Sequence, residues 1–247
     1  MKSRLDKILA ANGLGSRNDI KKLLRKKNIC VNGLKVTNPS FLVETASDII
    51  TIDDKIFTPK ENIYIMLNKP SGCITSTEDP FHKTVNDYLK PPFDKIKLFS
   101  IGRLDIDTEG LIILTNDGIL THKIISPKSK IEKTYYLEFL HDPDEEQIIK
   151  YTACFEKGIV LKSGYKFLPA KFKTYKNITG SGKKGFLITI TEGKHHQIKK
   201  MCSAVENSLV YLKRIEMASI KLDTSLKKGE YRELTSEEVK SIKKYLD

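Results

Sequence analysis

Between Asp53 and Asn62 the chain reads DDKIFTPKEN, polar, charged and interrupted by Pro59, and the residue pattern changes character across it. A single hydrophobic core does not continue through such a segment, so it reads as a linker between two separately packed units. The expected division is residues 1–58, a linker at 59–62, and residues 63–247. At 247 residues the chain is long enough for a small domain followed by a medium one.

Ahead of the linker the apolar spacing is helical. Leu5, Ile8 and Leu9 form one short stripe, and Asn12-Gly13-Leu14-Gly15 ends it. Ser16 stands three residues before Asp19, a box-like start for a second helix whose stripe is Ile20, Leu23 and Leu24. Two apolar runs follow, Ile29-Cys30-Val31 and Leu34-Lys35-Val36, joined by Asn32-Gly33, a hairpin signal. Residues 1–36 hold ten Lys and Arg against two acids, two thirds of the net charge of +12. Arg17, Lys21, Lys22, Arg25 and Lys26 fall on the side of the second helix away from its stripe, giving one basic face. Charge gathered this way points to a polyanion, and nucleic acid is the expected partner.

Beyond the linker β-branched and aromatic runs dominate. YIML (64–67), KLFSIG (97–102), LIILT (111–115), KTYYLEFL (133–140) and GFLITIT (185–191) read as strands. Residues 142–159 and 196–207 suit helices, the first opened by Asp142-Pro143, and SEEVKSIKKYL (236–246) reads as a terminal helix capped by Ser236. The expected class is α+β on a largely antiparallel mixed sheet with flanking helices. No apolar run approaches the roughly 20 residues that cross a bilayer, and Lys2, Arg4 and Asp6 leave no signal-peptide core, so a cytoplasmic, membrane-free protein is expected. Cys30, Cys73, Cys154 and Cys202 are scattered and read as reduced thiols, with neither a disulfide scaffold nor a zinc cluster.

The densest cluster of reactive side chains is GRLDIDTEGLIILTNDG (102–118). Counted from Asp105 it imitates the opening of a calcium loop, but Asn116 stands where the twelfth-position Glu is required and the flank reads as strand. GSGKKG (180–185) imitates a phosphate loop, yet Asn177 and Lys184 occupy its obligatory Gly and Ser/Thr positions. Taken alone, the acidic run is a turn with Asp and Thr bonded to the backbone.

Two resemblances change that reading. RLDKILAANGLGSRNDIKKLLRKKNICVNGLKV resembles the S-four-like (alpha-L) RNA-binding module. The likeness implies phosphates lying against Arg4, Arg17, Lys21, Lys22 and Lys26, with RNA recognised by shape. IGRLDIDTEGLIILTNDG, EKTY (132–135) and ITEGKHHQIKKM (190–201), with LNKPSGCITSTEDPFHKTV (67–85) and NSLVYLKRIEMASIKL (207–222), resemble the pseudouridine synthases. The fused module and the STEDP segment are similar to the branch that modifies ribosomal RNA, most of all its small-subunit type. This resemblance implies a pseudouridine synthase catalytic domain, no cofactor and no metal. It implies that Asp105 forms a covalent adduct or assists loss of the base, and that the residue after H-Q-I, here Lys199 where relatives carry Arg, keeps it ionised. Lys200 is the substitute cation and a further RNA contact. Tyr135 packs on the flipped uracil and helps remove its proton, and Arg103 contacts RNA around the vacated stack. His195 and His196 read as RNA-contacting or structural. The expected partner is ribosomal RNA or a subunit assembly intermediate, met by a monomer. The same chemistry on large-subunit RNA, and a non-catalytic assembly factor, remain as alternatives.

Overall fold

The computed structural model describes residues 2–161 and 163–246. The first unit runs β1 (Lys2–Arg4), α1 (Leu5–Ala11), α2 (Arg17–Lys26), β2 (Ile29–Val31), β3 (Leu34–Lys35), β4 (Leu42–Glu44), β5 (Ile50–Ile52) and β6 (Lys55–Phe57). Both expected apolar stripes face inward, with Leu23 partly and the others fully buried, and they share a core with Ile29, Val31, Val43 and Ile50. Ser16 caps α2 with the expected box: its hydroxyl accepts from the Asp19 amide at 3.3 Å, and the Asp19 carboxylate accepts from the Ser16 amide at 3.0 Å. Asn32 and Gly33, at φ +51° and +78°, make the expected hairpin turn between β2 and β3.

The linker reading of residues 53–62 is corrected over its first half. Asp53 and Asp54, at φ +47° and +64°, turn the chain so that β6 pairs with β5 in a four-stranded sheet ordered β3-β2-β5-β6. Asp and Asn tolerate the left-handed region that such a turn requires, which makes DD a turn signal as well as a polar one. Asn12 then fastens Lys60 to the end of α1, accepting from its amide at 2.8 Å and donating to its carbonyl at 3.2 Å.

The second unit is built from β7 (Tyr64–Lys69), β8 (Phe99–Ser100), β9 (Glu109–Thr115), α3 (Gly118–Ile125), β10 (Lys133–Phe139), α4 (Glu145–Lys157), β11 (Lys171–Tyr175), β12 (Gly185–Ile190), α5 (Gln197–Ala204), β13 (Leu209–Met217), β14 (Ile220–Lys221), β15 (Tyr231–Glu233) and α6 (Ser236–Lys243). Its main sheet has the order β11-β12-β10-β13-β9-β7-β15, with β8 on β9 and β14 on β13. Every pairing in it is antiparallel except β9 with β13. The α+β architecture on a largely antiparallel mixed sheet is therefore as expected. Phe139, Phe155, Phe172 and Phe186 fill the core between α4, α5 and the β10-β12-β11 end of the sheet, with the last two rings stacked at 5.3 Å.

Local details differ from the sequence reading. The strand expected over 97–102 shortens to Phe99–Ser100; the Ile101 amide still donates to Ile113 at 2.7 Å, but Gly102 turns away at φ +75°. Asp144, with Gln147 three residues on, caps α4 and leaves Pro143 outside the helix. Thr235, not Ser236, caps α6, because only Thr235 has a Glu three residues later to complete the box. The helix α3 was not expected; Asp117 caps it through the Leu120 amide at 3.0 Å, in a stretch whose Asn-Asp-Gly reads equally well as a turn.

The parallel pair at the sheet centre depends on one glycine. Gly110 of β9 faces Arg214 of β13 at φ +101°, and a Cβ there would stand 2.2 Å from the Arg214 carbonyl oxygen. Neither strand can retreat, since both are flanked by further strands. Gly110→Ala is therefore expected to destabilise the fold by about 3 kcal/mol, a fall of roughly 6–12 °C in Tm, which thermal unfolding would read directly.

Candidate active site

The loop from Ile101 to Thr108, leading into β9, is held by groups far from it in sequence. Lys69, the last residue of β7, is fully buried. Its Nζ donates to the carbonyls of Thr108 at 2.8 Å, Asp105 at 3.1 Å, and Pro70 and Ile106 at 3.2 Å each. Burial draws the Lys69 pKa down against the opposing pull of the Asp107, Glu109 and Asp105 carboxylates. On the other flank, the Thr75 hydroxyl donates to the Leu104 carbonyl at 3.1 Å and accepts from the Leu104 amide at 3.3 Å. The Thr108 amide closes a turn on the Asp105 carbonyl at 3.1 Å.

That turn presents Asp105 and Asp107 to the start of α5. The Asp105 carboxylate has Nε2 of His196 at 3.6 Å from one oxygen and Nζ of Lys199 at 3.6 Å from the other. Lys199 itself donates to both oxygens of Asp107, at 2.6 and 2.7 Å. Lys199 thus lies beside Asp105 as expected, but its ammonium serves a second carboxylate as well, and Asp107 takes its hydrogen bonds. Burial raises the Asp107 carboxyl, but the hydrogen bonds and charge of Lys199 together hold it below the usual range. The α5 start is also fixed. Gln197, buried, accepts from the Lys194 amide at 3.0 Å and donates to Glu192 at 2.9 Å. His196 sits in the left-handed region at φ +53°, its ring stacked on His195 at 3.8 Å. Backbone conformations of this kind are held only where the surroundings over-determine them, and they gather at functional sites.

Asp105 stands at the mouth of a pocket walled by Leu104, Tyr135, Ile190, Ile198 and Leu212. Tyr135, on β10, is 7% exposed. Arg103 is exposed and lies on the rim shared by this pocket and the grooves on either side. The fold therefore brings Arg103, Asp105, Tyr135 and Lys199 together from three distant segments. It does not bring Lys200 there: its side chain is exposed on α5 and, among the described residues, has no hydrogen bond or ion pair. Lys69 and Asp107 are the additions the sequence alone does not place, and His196, expected as RNA-contacting or structural, lies against the Asp105 carboxylate. In the first unit Arg17, Lys21, Lys22 and Lys26 are exposed along α2, as expected. Arg4 is different, because its fork is taken up by the buried Asp6 at 2.7 and 3.1 Å, whose carboxyl it holds below the usual range.

Residues 63–204 match the model of the RNA pseudouridylate synthase family, and residues 3–50 match that of the S4 domain. The chain belongs to the RNA pseudouridylate synthase family. It is 41% identical to the uncharacterized RNA pseudouridine synthase YtzG of Bacillus subtilis, covering 96% of each chain. It is 38% identical to the ribosomal small subunit pseudouridine synthase A of Haemophilus influenzae, covering 98% of this chain and all of that one. A crystal structure of a pseudouridylate synthase superimposes with a TM-score of 0.65 at 36% identity, over 97% of this chain and 99% of the other. The protein is a pseudouridine synthase acting on RNA. No helix among the described residues is long and apolar enough to cross a membrane.

The Lys69 clamp carries a direct consequence for this enzyme. Lys69→Met fills the same space but leaves four carbonyls without their donor, so residues 105–108 should loosen. Amide exchange at Gly72, which donates to Ile106 at 2.8 Å, and at Thr108 is expected to accelerate. Turnover should fall by about 100-fold, since the wall of the pocket formed by this loop is displaced.

Proposed function

We propose that this enzyme converts a uridine of small-subunit ribosomal RNA to pseudouridine, with Asp105 as the reacting carboxylate. The observation that carries the reading is Asp105 itself, part-exposed at the mouth of a pocket with both apolar and charged walls, flanked at 3.6 Å by Lys199 and His196 and free of side-chain hydrogen bonds among the described residues. Such a carboxylate has a fixed ammonium beside it while its oxygens stay available to a substrate.

The reaction is an isomerisation. The N1–C1′ bond of the uridine breaks, the base turns, C5 bonds to C1′, and the proton leaving C5 is balanced by one taken up at N1. Asp105 either attacks C1′ or removes a sugar proton so that the base departs; both routes return it as the carboxylate. Tyr135 offers a ring for the base and a hydroxyl beside the carbon that loses its proton. A base inside a helix cannot reach this pocket, so the uridine is flipped out, and Arg103 on the rim faces the stack it leaves. Residues 1–58, joined by 59–62 to a catalytic unit over 63–247, hold the RNA through Arg17, Lys21, Lys22 and Lys26, with Lys200 an outlying contact. Arg4 is secondary because Asp6 engages it. Relatives named for the small subunit, matched end to end, favour that RNA over the large-subunit alternative.

Mapping pseudouridines in ribosomal RNA from cells with and without the gene tests the substrate. One missing position in small-subunit RNA is expected; a missing position in large-subunit RNA, or none, would remove the assignment. Asp105→Asn should abolish turnover with little change in RNA affinity, measured on one preparation. Turnover at a tenth of normal would take Asp105 out of the reaction. Lys199→Ala should lower single-turnover rates by about 100-fold, as two carboxylates lose their shared cation. Lys199→Arg should stay within about threefold of the parent, since a guanidinium has donors enough for both.

A further inference from the structure

Beside the Asp105 pocket lies a groove of about 690 Å³ that shares Arg103 and Tyr135 with it. On its floor is Arg214 of β13, 1% exposed. Nε donates to the Leu111 carbonyl at 2.8 Å, while Nη2 is buried with no hydrogen-bond partner. Lys133 of β10 lines the same groove, and its Nζ reaches only the Ile131 carbonyl, at 2.9 Å. Neither cation belongs to any ion pair among the described residues. The carboxylate that lines the groove, Glu192, already accepts from the Leu168 amide at 2.8 Å and from Gln197 at 2.9 Å.

A buried guanidinium cannot shed its charge, and taken out of water it requires acceptors or an anion. Here a second cation lies close enough that burial and the charge of Arg214 together draw the Lys133 pKa down to about 8. Two uncompensated cations facing one cavity are stabilised by an anion placed between them. The backbone is shaped for this. Between Thr134 and Tyr135 the β10–β13 ladder slips by one residue, leaving Ile215 unpaired, and such bulges re-aim neighbouring side chains. Gly102, at φ +75°, lies over the guanidinium, where even a Cβ would be 3.9 Å from Nη1.

We propose that Arg214 and Lys133 form a buried cationic subsite that takes a backbone phosphate of the RNA strand entering the Asp105 pocket. The inference rests on the reading of that pocket as the uridine site. A nucleotide whose base lies on Tyr135 carries its anions one sugar away, and a phosphodiester offers a permanent charge with oxygens that suit a guanidinium fork.

The test uses small-subunit ribosomal RNA, alone and reconstituted into its particle, ethylated at random phosphates to remove single charges. Full-length parent, Lys133→Met and Arg214→Gln proteins select from this RNA, and pseudouridines are mapped in the same samples. The parent should reject RNA ethylated at a phosphate adjoining the converted uridine by about fivefold, and Lys133→Met should lower that rejection below about twofold. The slope of log affinity against log salt should shrink by about 0.7–0.9 in Lys133→Met, the share of one phosphate contact. Arg214→Gln should behave alike if its melting curve shows a folded protein; Lys133→Met, at a half-buried strand end, decides the matter otherwise. Parental rejection and an unchanged salt slope in Lys133→Met would overturn the subsite. No pseudouridine formed by the parent on either RNA would overturn the uridine reading, and the subsite with it.

Discussion

The buried ammonium of Lys69 has no carboxylate in contact and is solvated instead by four backbone carbonyls, three of them from the loop that carries Asp105. Carbonyl dipoles supply there what water would supply outside, and they do so only while the loop keeps its shape. The result is a loop tied to β7, an inner strand of the sheet, rather than one left to its own turn chemistry. The three carboxylates around this ammonium then meet different fates. Glu109, buried, accepts from Tyr211 at 2.6 Å and Lys228 at 2.8 Å. Asp107 takes both short bonds from Lys199. Of the three, Asp105 alone is left with ion pairs too long to be hydrogen bonds, so its oxygens are the ones without a bonded donor among the described residues.

The sheet centre sets the rest. Gly110 lets β9 approach β13 in parallel at Arg214, and the turn of Asp105 to Thr108 ends two residues before it. Across β13, Tyr135 pairs with the same Arg214 beside the bulge. One close backbone contact thus relates the carboxylate, the aromatic ring and the buried guanidinium to each other. The ring and the guanidinium are spaced by strand geometry, which packing on both sides keeps stiff, while the carboxylate is spaced by the clamped loop that leads into β9.

Local signals were legible where the causes were local. The Ser16–Asp19 box, the Asn32-Gly33 turn and the strands from 64, 111, 133 and 185 all depend on residues within a few positions of one another. The same locality explains the misreadings: DD at 53–54 and NDG at 116–118 suit both a loop and the start or turn of an element, and only tertiary contact chooses. For the site, Asp105, Tyr135, Arg103 and Lys199 came from resemblance in separated motifs, and the fold brings them together. Lys69 was invisible because a lysine is ordinarily taken to be exposed, and three of its four partners lie 36 to 39 residues away. Asp107 was hidden in the same way, and so was the carboxylate partner of His196, since nothing in the spacing of either tells which group it will face across the fold.

In the proposed function the two units hold RNA by different physics. The cations of α2 are exposed, so their reach is limited to about 8–10 Å by salt, and long flexible side chains meet phosphates in many poses. Such a face favours association without fixing register. Fixing register to the tolerance that bond exchange at C1′ demands requires groups whose own positions are locked. Those lie in the second unit, where Lys69, Gln197 and Arg214 are buried and each is bonded to backbone. The division also explains why so much of the positive charge can gather in residues 1–36 while the reacting carboxylate is placed by cations that add almost nothing to the chain's excess. Lys69 and Lys199 lie among Asp105, Asp107 and Glu109, so their charge is largely cancelled as a long-range field and remains effective only at contact distance.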